Sequence, residues 1–493
     1  MDSPKRDMWT DIVRFTYIEV RCTTADFVTI IETLEYLADA MWYVPLVLIV
    51  LLGIYSTIRL KGIQIRDVKE MWVSTFSRRE RGEGKLSSFH VFCMSMGNRI
   101  GVGNITGPVL AILVGGPGAI FWMWIFAFLG TATSFLETTV GQIFKSRGAD
   151  GKLHGGPAYN ISKGMGMKRL SLIVAFVMLL MYILGFVSME VCSMSEALCG
   201  AFVFDYNSLV IAALLTLFTA FIIIGGLERV ADLSAKIVPA MAALWFFVCV
   251  ISIALSDGGV INAFGMIFSY AFSVPSAIGG GIGAMLIIGM KRGVLSNEAG
   301  VGTITNISSM ADVAHPVRQG YSQALGVVID TVVSTLTALV ILSFGNIDVI
   351  VGMDLESVNL LQAIMESTMG SVSVYLVALF LFIFALTSLM SDYVIGENNL
   401  ILITGKREAR IGMSIFLLAV VFLSSFFSSD GLFAIVDIML AICGFINCLM
   451  MFKLGGLAIE AYKDYREQKS EGIDDPVFHP SCLSDQTGVT EWE

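Results

Sequence analysis

Charge is scarce in this chain of 493 residues, where Asp, Glu, Lys and Arg make up 15% against about 25% in a soluble globular protein. The apolar residues come in repeated runs of about 20, the length that crosses a bilayer, which excludes a soluble protein with one large core. Proline is also scarce, at 10 residues. No two of the eight cysteines form a CxxC pair, and Cys192, Cys199, Cys249, Cys443 and Cys448 all sit in apolar stretches. They read as small hydrophobes, which excludes a disulfide or metal framework. No basic tract is interleaved with aromatics, so nucleic acid is not an expected partner. The first 41 residues hold eight acids and four bases with no apolar core before Met41, which predicts no cleavable signal peptide.

What is abundant is apolar. Residues AVILMFWYC make up 56% of the chain, glycine contributes 48 residues, and mean hydropathy is +0.78. Glycine enrichment suits spanning helices, whose backbones pack closely across small residues. Eleven spans are expected, at 41–60, 88–113, 118–143, 171–199, 208–225, 237–255, 272–290, 322–345, 372–395, 411–428 and 431–452. Basic residues fill alternate gaps. Lys61, Arg66 and Lys69 follow the first span, Lys145 to Arg169 the third, and Lys291, Arg292 and Arg318 the seventh. The gaps near 114–117, 200–207, 256–271, 346–371 and 429–430 hold no Lys or Arg. By the positive-inside rule the C-terminus is expected in the cytoplasm and, with an odd number of spans, the N-terminus outside.

Two spans carry glycine clusters that a continuous helix does not need. One runs from Gly97 to Pro108, and the other is Gly279-Gly280-Gly281-Ile282-Gly283. Pro108 lacks an amide hydrogen and disfavours helical geometry at Gly107. Broken helices free carbonyls and amides near mid-membrane, where they can coordinate ions and a carboxylate. The alternative is close helix packing across small residues. The two clusters are five spans apart. This predicts an all-α polytopic protein with about eleven spanning helices, one leading helix followed by two five-helix halves, each half beginning with a broken helix. The expected segments are 1–40 outside the membrane, a leading helix at 41–60, repeats at 88–255 and 272–452, and a cytoplasmic tail at 453–493.

The stretches Gly101-Val102-Gly103-Asn104-Ile105-Thr106-Gly107, Gly115 to Trp124, Gly155-Gly156-Pro157-Ala158-Tyr159, Arg292 to Gly300, His315 to Gly320 and Gly396-Glu397 together resemble the alanine or glycine:cation symporter family. The resemblance covers about residues 42 to 480. It implies a bacterial or archaeal cytoplasmic-membrane protein with a five-plus-five inverted-repeat transporter core and one extra leading helix, with no enzymatic activity and no cofactor, that imports a small neutral amino acid, alanine or glycine, with sodium. The expected partners are the amino acid, the sodium ion and the lipid bilayer. A different solute, proton coupling, or a non-transporting sensor or channel stays open.

The candidate substrate contacts are Gly101, Gly103, Asn104, Thr106, Gly107, Glu190, Gly279, Gly280 and Gly281. The glycines offer backbone groups, and Asn104 offers an amide or a local cap. Glu190 stands where the family usually has glutamine, and Asp392 where it has tryptophan or asparagine. Resemblance to the wider transporter group implies sodium ligands at Thr387 and Ser388, beside the backbone of Ile100 and Gly103 in the first broken helix. Arg99, a base within a span, must face protein or a cavity, either pairing with an acid such as Glu137 or Glu190 or anchoring the broken helix without touching substrate. Gly155, Gly156 and Pro157, together with Ser296, Asn297 and Glu298, fall in basic gaps and are expected to form part of an inner gate, turn chemistry being the plainer reading.

Overall fold

A bilayer offers the main chain no hydrogen-bond partner, so each apolar run must satisfy its own amides and carbonyls, as a helix does internally. The computed structural model describes residues 24–77, 86–148, 151–202, 207–272, 281–345, 347–353, 355, 357–406, 408–427 and 431–492. The helices that matter for function run in order. α1 (Thr24–Arg59) and α2 (Val68–Phe76) lead. α3 (Ser88–Arg99) and α4 (Gly103–Gly115) are two halves of one interrupted run. α5 (Gly118–Ile143), short α6 (Pro157–Gly164), α7 (Lys168–Ala201), α8 (Asn207–Ile223), α9 (Gly226–Leu255) and α10 (Gly259–Tyr270) follow. α11 (Gly281–Asn297) and α12 (Thr305–Ser308) form a second interrupted pair. α13 (Pro316–Leu342), α14 (Ser357–Met369), α15 (Val372–Thr404), α16 (Ala409–Ser424) and α17 (Leu432–Ser470) complete the set.

Among the described residues seven helices are long and apolar enough to cross a membrane: α1 from Ile31, α5, α7, α9, α13, α15 and α17. The chain is therefore an all-α polytopic membrane protein. α5 and α13 lie against each other at the centre and are mostly buried, whereas α9 leaves Leu244, Phe247 and Ile251 exposed. Exposed side chains of that kind on an apolar helix are a lipid-facing surface.

Several boundaries differ from the sequence reading. α1 starts at Thr24 rather than near residue 41. The first interruption spans Ile100–Val102, and the helix then runs through Gly107 and Pro108 without a second break. The glycine cluster at 279–283 is not the described break of the second pair. Gly279 and Gly280 lie outside the described residues, and Gly281 opens α11 as helix. The break comes later, between α11 and α12, where Gly300 and Gly302 take φ of 94° and 79°. Glycine tolerates that left-handed region without a Cβ penalty, so backbone angle marks the break and glycine count does not.

The same shift moves Lys291 and Arg292 out of the expected cytoplasmic gap and onto α11, where both are buried. They are tolerated there because Asp437 of α17 accepts from Lys291 Nζ at 2.8 Å and from Arg292 Nη2 at 2.9 Å. A buried charge persists when it is paired.

At the other end of the helices, Asp67 accepts from Tyr321 at 2.8 Å, Tyr462 at 3.0 Å and Arg66 at 3.0 Å. Burial pushes this carboxyl up, but those hydrogen bonds outweigh it and leave it below the ordinary carboxylate value. His315 caps α13 and lies 3.1 Å from Asp464, and its burial lowers its affinity for a proton although Asp464 opposes the shift. After α17 the tail folds back. Phe478 donates its amide to Ala314 O at 2.9 Å, Trp492 Nε1 donates to Gln142 O at 3.0 Å, and Lys145 Nζ sits 3.9 Å from the Trp492 ring centre.

Candidate functional site

The two interruptions meet. Asn98, on the last turn of α3, donates from Nδ2 to Glu298 Oε1 at 2.8 Å. Glu298 opens the second break at φ 53°. A positive φ costs a non-glycine residue strain, so surrounding contacts must hold it. Two of them are hydroxyls on Oε2, Tyr182 at 2.8 Å and Thr303 at 2.5 Å. Tyr182 lies in a π-helical turn of α7, Met181–Phe186, and such turns re-aim side chains at functional positions. Glu298 is therefore buried between the two breaks, as are its neighbours Ser296 and Asn297. None of the three lies in the expected basic gap, because the span expected to end at 290 continues to Asn297.

Arg99 is buried but touches no carboxylate among the described residues. Its Nε donates to Asn297 O at 3.0 Å, Nη1 to Gln323 O at 3.1 Å and Oε1 at 3.0 Å, and Nη2 to Ser134 Oγ at 3.0 Å. The ion pair with Glu137 or Glu190 does not form. The cation instead meets the C-terminal carbonyl of half-helix α11, the negative end of its dipole. Glu137 accepts from Asn447 Nδ2 at 2.5 Å, and the same amide group donates to Gly300 O at 2.9 Å. Through Asn447, Glu137 thus holds the second break in place.

Asn104 acts locally and across helices. Its Oδ1 accepts from the Gly101 amide at 3.1 Å, which caps the first break. Its Nδ2 donates to Asp330 Oδ1 at 2.6 Å and to Ser334 Oγ at 3.0 Å. Ser296 Oγ lies 2.9 Å from Asp330 Oδ2. A void of about 10 Å³ opens beside Ser296, Asp330 and Ser334, the size of a single water or ion. Sequence reading missed Asp330 and Ser334. The signal was available: an acid in an apolar run, the same feature that picked out Glu190.

Gly101 packs so closely on α7 and α15 that an added Cβ would collide with Ser388 Oγ and reach Glu190 Oε1 at 3.5 Å. Ser388 Oγ donates to Gly97 O at 3.0 Å, joining α15 to the first broken helix. Thr387 Oγ1 instead donates to Phe384 O of its own helix at 2.9 Å, and Thr106 Oγ1 to Val102 O at 3.1 Å. Gly103 and Gly107 face the backbone of α11, their added Cβ atoms falling 3.8 Å from Leu295 O and 3.9 Å from Arg292 O. Glu190 and Asp392 are both buried, and one oxygen of each has no hydrogen-bond partner among the described residues. Gly155, Gly156 and Pro157 lie against the far side of the second broken helix. Gly155 O accepts from Asn398 Nδ2 at 2.8 Å, and an added Cβ on Gly156 would come within 2.6 Å of Asn306 Oδ1.

Two interrupted helices whose breaks face each other inside a polytopic bundle define a membrane transporter rather than an enzyme. The sequence profile described as the sodium:alanine symporter family matches residues 27–480, and the chain belongs to that family. It is a sodium-coupled symporter of a small neutral amino acid, with sodium as co-transported substrate. It is 35% identical over 462 residues to the amino-acid carrier protein AlsT of Bacillus subtilis (strain 168), covering 92% of this chain and 96% of that one. It is 35% identical over 467 residues to the probable sodium/glutamine symporter GlnT of the same organism, covering 94% and 96%. It is 33% identical over 416 residues to the sodium/proton-dependent alanine carrier protein of Bacillus sp. (strain PS3), covering 81% and 92%.

Proposed function

We propose that this chain imports alanine or glycine with sodium by alternating access. The observation that carries the reading is the cross-linking of the two interrupted pairs, by Asn98 with Glu298 and by Asp330, which accepts from both Asn104 and Ser296. Such links make the two half-helix pairs move as a unit around a fixed site. Sodium, a hard cation that takes oxygen ligands, occupies the oxygen cluster of Asp330, Ser296 and Ser334. Ser388, with the Ile100 and Gly103 carbonyls, supplies a second set. Thr387 is the weaker candidate because its hydroxyl hydrogen-bonds its own helix, whereas that of Ser388 reaches the first broken helix at Gly97 O. The substrate carboxylate docks on amides of the first break, around Gly101, Gly103 and Gly107, and its ammonium faces Glu190. Gly155–Pro157 closes the inner side against Asn306.

Eleven crossings, a leading helix, and inverted repeats over 88–255 and 272–452 accommodate this motion. Each repeat contributes one broken pair, α3 with α4 and α11 with α12. The N-terminal segment lies outside and the tail from 453 lies in the cytoplasm. The similar proteins named above come from bacteria, which favours a bacterial cytoplasmic membrane. Glutamine is a second candidate substrate, favoured by the similarity to the probable sodium/glutamine symporter GlnT.

The test is uptake of labelled amino acid into proteoliposomes with and without an inward sodium gradient. One charge across 100 mV supplies about 2.3 kcal/mol, and a tenfold sodium gradient about 1.4 kcal/mol. One sodium per zwitterion therefore sustains accumulation of roughly 500-fold. Equilibration without accumulation would make the protein a channel.

A further inference from the structure

The chain beyond α17 has little regular structure besides a short turn at Pro480–Cys482, yet Phe478 and Leu483 in it are buried. A terminal segment stays poorly ordered unless it is tied down, and here the ties come at intervals. Asp475 Oδ1 lies 3.0 Å from Arg318 Nη2. Phe478 donates its amide to Ala314 O and sets its ring centre 5.3 Å from that of His315. Ser484 donates to the Glu460 carboxylate from its amide at 2.8 Å and from its hydroxyl at 2.9 Å. Gly488, at φ 82°, presses so closely on α6 that an added Cβ would collide with the Lys163 carbonyl. Glu491 Oε1 accepts from the Arg147 amide at 3.0 Å, and Trp492 ends the path on α5 at Gln142 and Lys145.

The places of those ties matter. Ala314 follows α12, the second half of an interrupted pair, and Lys163 stands near the end of α6, the helix that Gly155-Gly156-Pro157 opens. These two elements meet where Gly156 packs on Asn306. The tail therefore crosses that seam from one lip to the other. Its last anchor bears on the seam a second time, through α5. Lys145, under the Trp492 ring, donates to Ala311 O at 3.4 Å, and Gln142 Nε2 donates to Ala311 O at 3.2 Å and to Ser308 O at 2.6 Å. Carbonyls at a helix C-terminus lack partners within the helix, so Gln142 and Lys145 hold the end of α12, and Trp492 covers both of them. The family profile stops at residue 480, so Gly488, Glu491 and Trp492 lie beyond what it describes.

We propose that residues 471–492 are a latch across the inner seam, which holds α12 against α6 while docked and lifts before sodium and the amino acid leave inward. Its role in the cycle rests on the transport reading above. Its anchors are few and separated by chain without regular structure, so the latch can open as a unit of low local stability while the helices stay folded. Docked, it adds to the free energy of the closed inner side alone. It therefore slows inward opening and leaves the affinity of the closed site for sodium and substrate as it was.

The experiment places a thiol in the seam by Ser308→Cys in the full chain. Ser308 is buried and its hydroxyl makes no hydrogen bond among the described residues, so the exchange loses none. A membrane-impermeant maleimide is applied to the cytoplasmic face of inside-out vesicles, and modification is followed by mass spectrometry of the peptide that carries the new thiol. Trp492→Ala should speed that modification about tenfold, by shifting the population toward the open inner side. It should raise the maximum rate of uptake about two- to fivefold, since opening steps set many turnover rates, with half-saturating sodium and alanine near those of the unaltered chain. Gly488→Ala, which drives a methyl into α6 and keeps every side-chain anchor, should do the same, and it covers the case in which Trp492→Ala fails to fold. Trp492→Phe keeps a ring over Lys145 but loses the donor to Gln142 O, and should fall between the two. Unchanged modification in both Trp492→Ala and Gly488→Ala overturns the latch. Faster modification with a lower maximum rate makes the tail a structural brace and overturns it as well. Absence of sodium-driven uptake by the unaltered chain defeats the transport reading instead, and the modification rates then still decide whether the tail shuts the seam.

Discussion

Asp330→Asn separates a sodium ligand from a structural acid. The carboxylate accepts from Asn104 Nδ2 at 2.6 Å and from Ser296 Oγ at 3.0 Å and 2.9 Å on its two oxygens. Asparagine has nearly the same shape. Its oxygen can keep the Asn104 bond, and its amide can donate to Ser296, whose hydroxyl both donates and accepts. The network survives and the charge is removed. A unit charge about 4 Å away is worth about 4 kcal/mol at an effective dielectric of 20, and the cost of desolvating the ion returns part of it. A net loss of about 1.4 to 2.8 kcal/mol raises the sodium concentration for half-maximal uptake about 10- to 100-fold. The assay is initial uptake of labelled alanine into proteoliposomes across a sodium series, with protein quantified in the membrane. Asp330→Ala, which also breaks the hydrogen bonds, should lower expression as well. Unchanged sodium dependence in Asp330→Asn with transport intact would refute the assignment.

Three further outcomes are expected. Gly101→Ala drives a methyl into Ser388 Oγ and should cut uptake at least tenfold, about 1.4 kcal/mol, with membrane expression retained; uptake within twofold of wild type would show that the first break does not need this close approach. Single cysteines replacing Lys152 and Ile261, in a background without other cysteines, should label from opposite sides of the membrane, and same-side labelling would sink the orientation. His315 has a depressed affinity for protons in the folded state. Its neutral form is therefore favoured above the unfolded histidine value of about 6.5, and that stabilisation is lost as pH falls below it. The thermal midpoint of detergent-solubilised protein should fall between pH 7 and 5, and less steeply in His315→Gln; identical slopes would remove His315 as the cause.

The all-α polytopic class was legible because lipid permits only self-satisfied helices, and seven of the described helices are long and apolar enough to cross a membrane. Their ends were less legible. Lys291 and Arg292 looked like a loop because an isolated base ends a span, and nothing nearby in sequence announces Asp437 as their partner, about 145 positions away. The first break, at Ile100–Val102, was visible within the cluster from Gly97 to Pro108 because glycines carry a local signal, although Pro108 itself lies inside α4. The interruption between α11 and α12 was not foreseen because its determinants are spread out: Gly300 and Gly302 stand singly, and the carboxylate that links this segment to α3 and α7 is Glu298. Arg99 was recognised as buried, but its neutral partners Gln323, Ser134 and the Asn297 carbonyl carry no charge pattern to read.

The Asn447 amide ties Gly300 O, 147 positions before it, to Glu137, 310 positions before it. That arrangement orders events during synthesis. At about 5–20 residues per second, the helix carrying Asn447 follows the Gly300 segment out of the ribosome by roughly 7–30 seconds. Until then the carbonyl at the second break has no such donor, and the α11–α12 pair sits in the bilayer as an incomplete piece. Any quality-control protease or insertase that surveys half-made membrane proteins meets this segment in that interval. Chains truncated ahead of residue 447 should be cleaved near Gly300 far faster than full-length chains, and equal lifetimes would show that the break is already secured by its earlier neighbours.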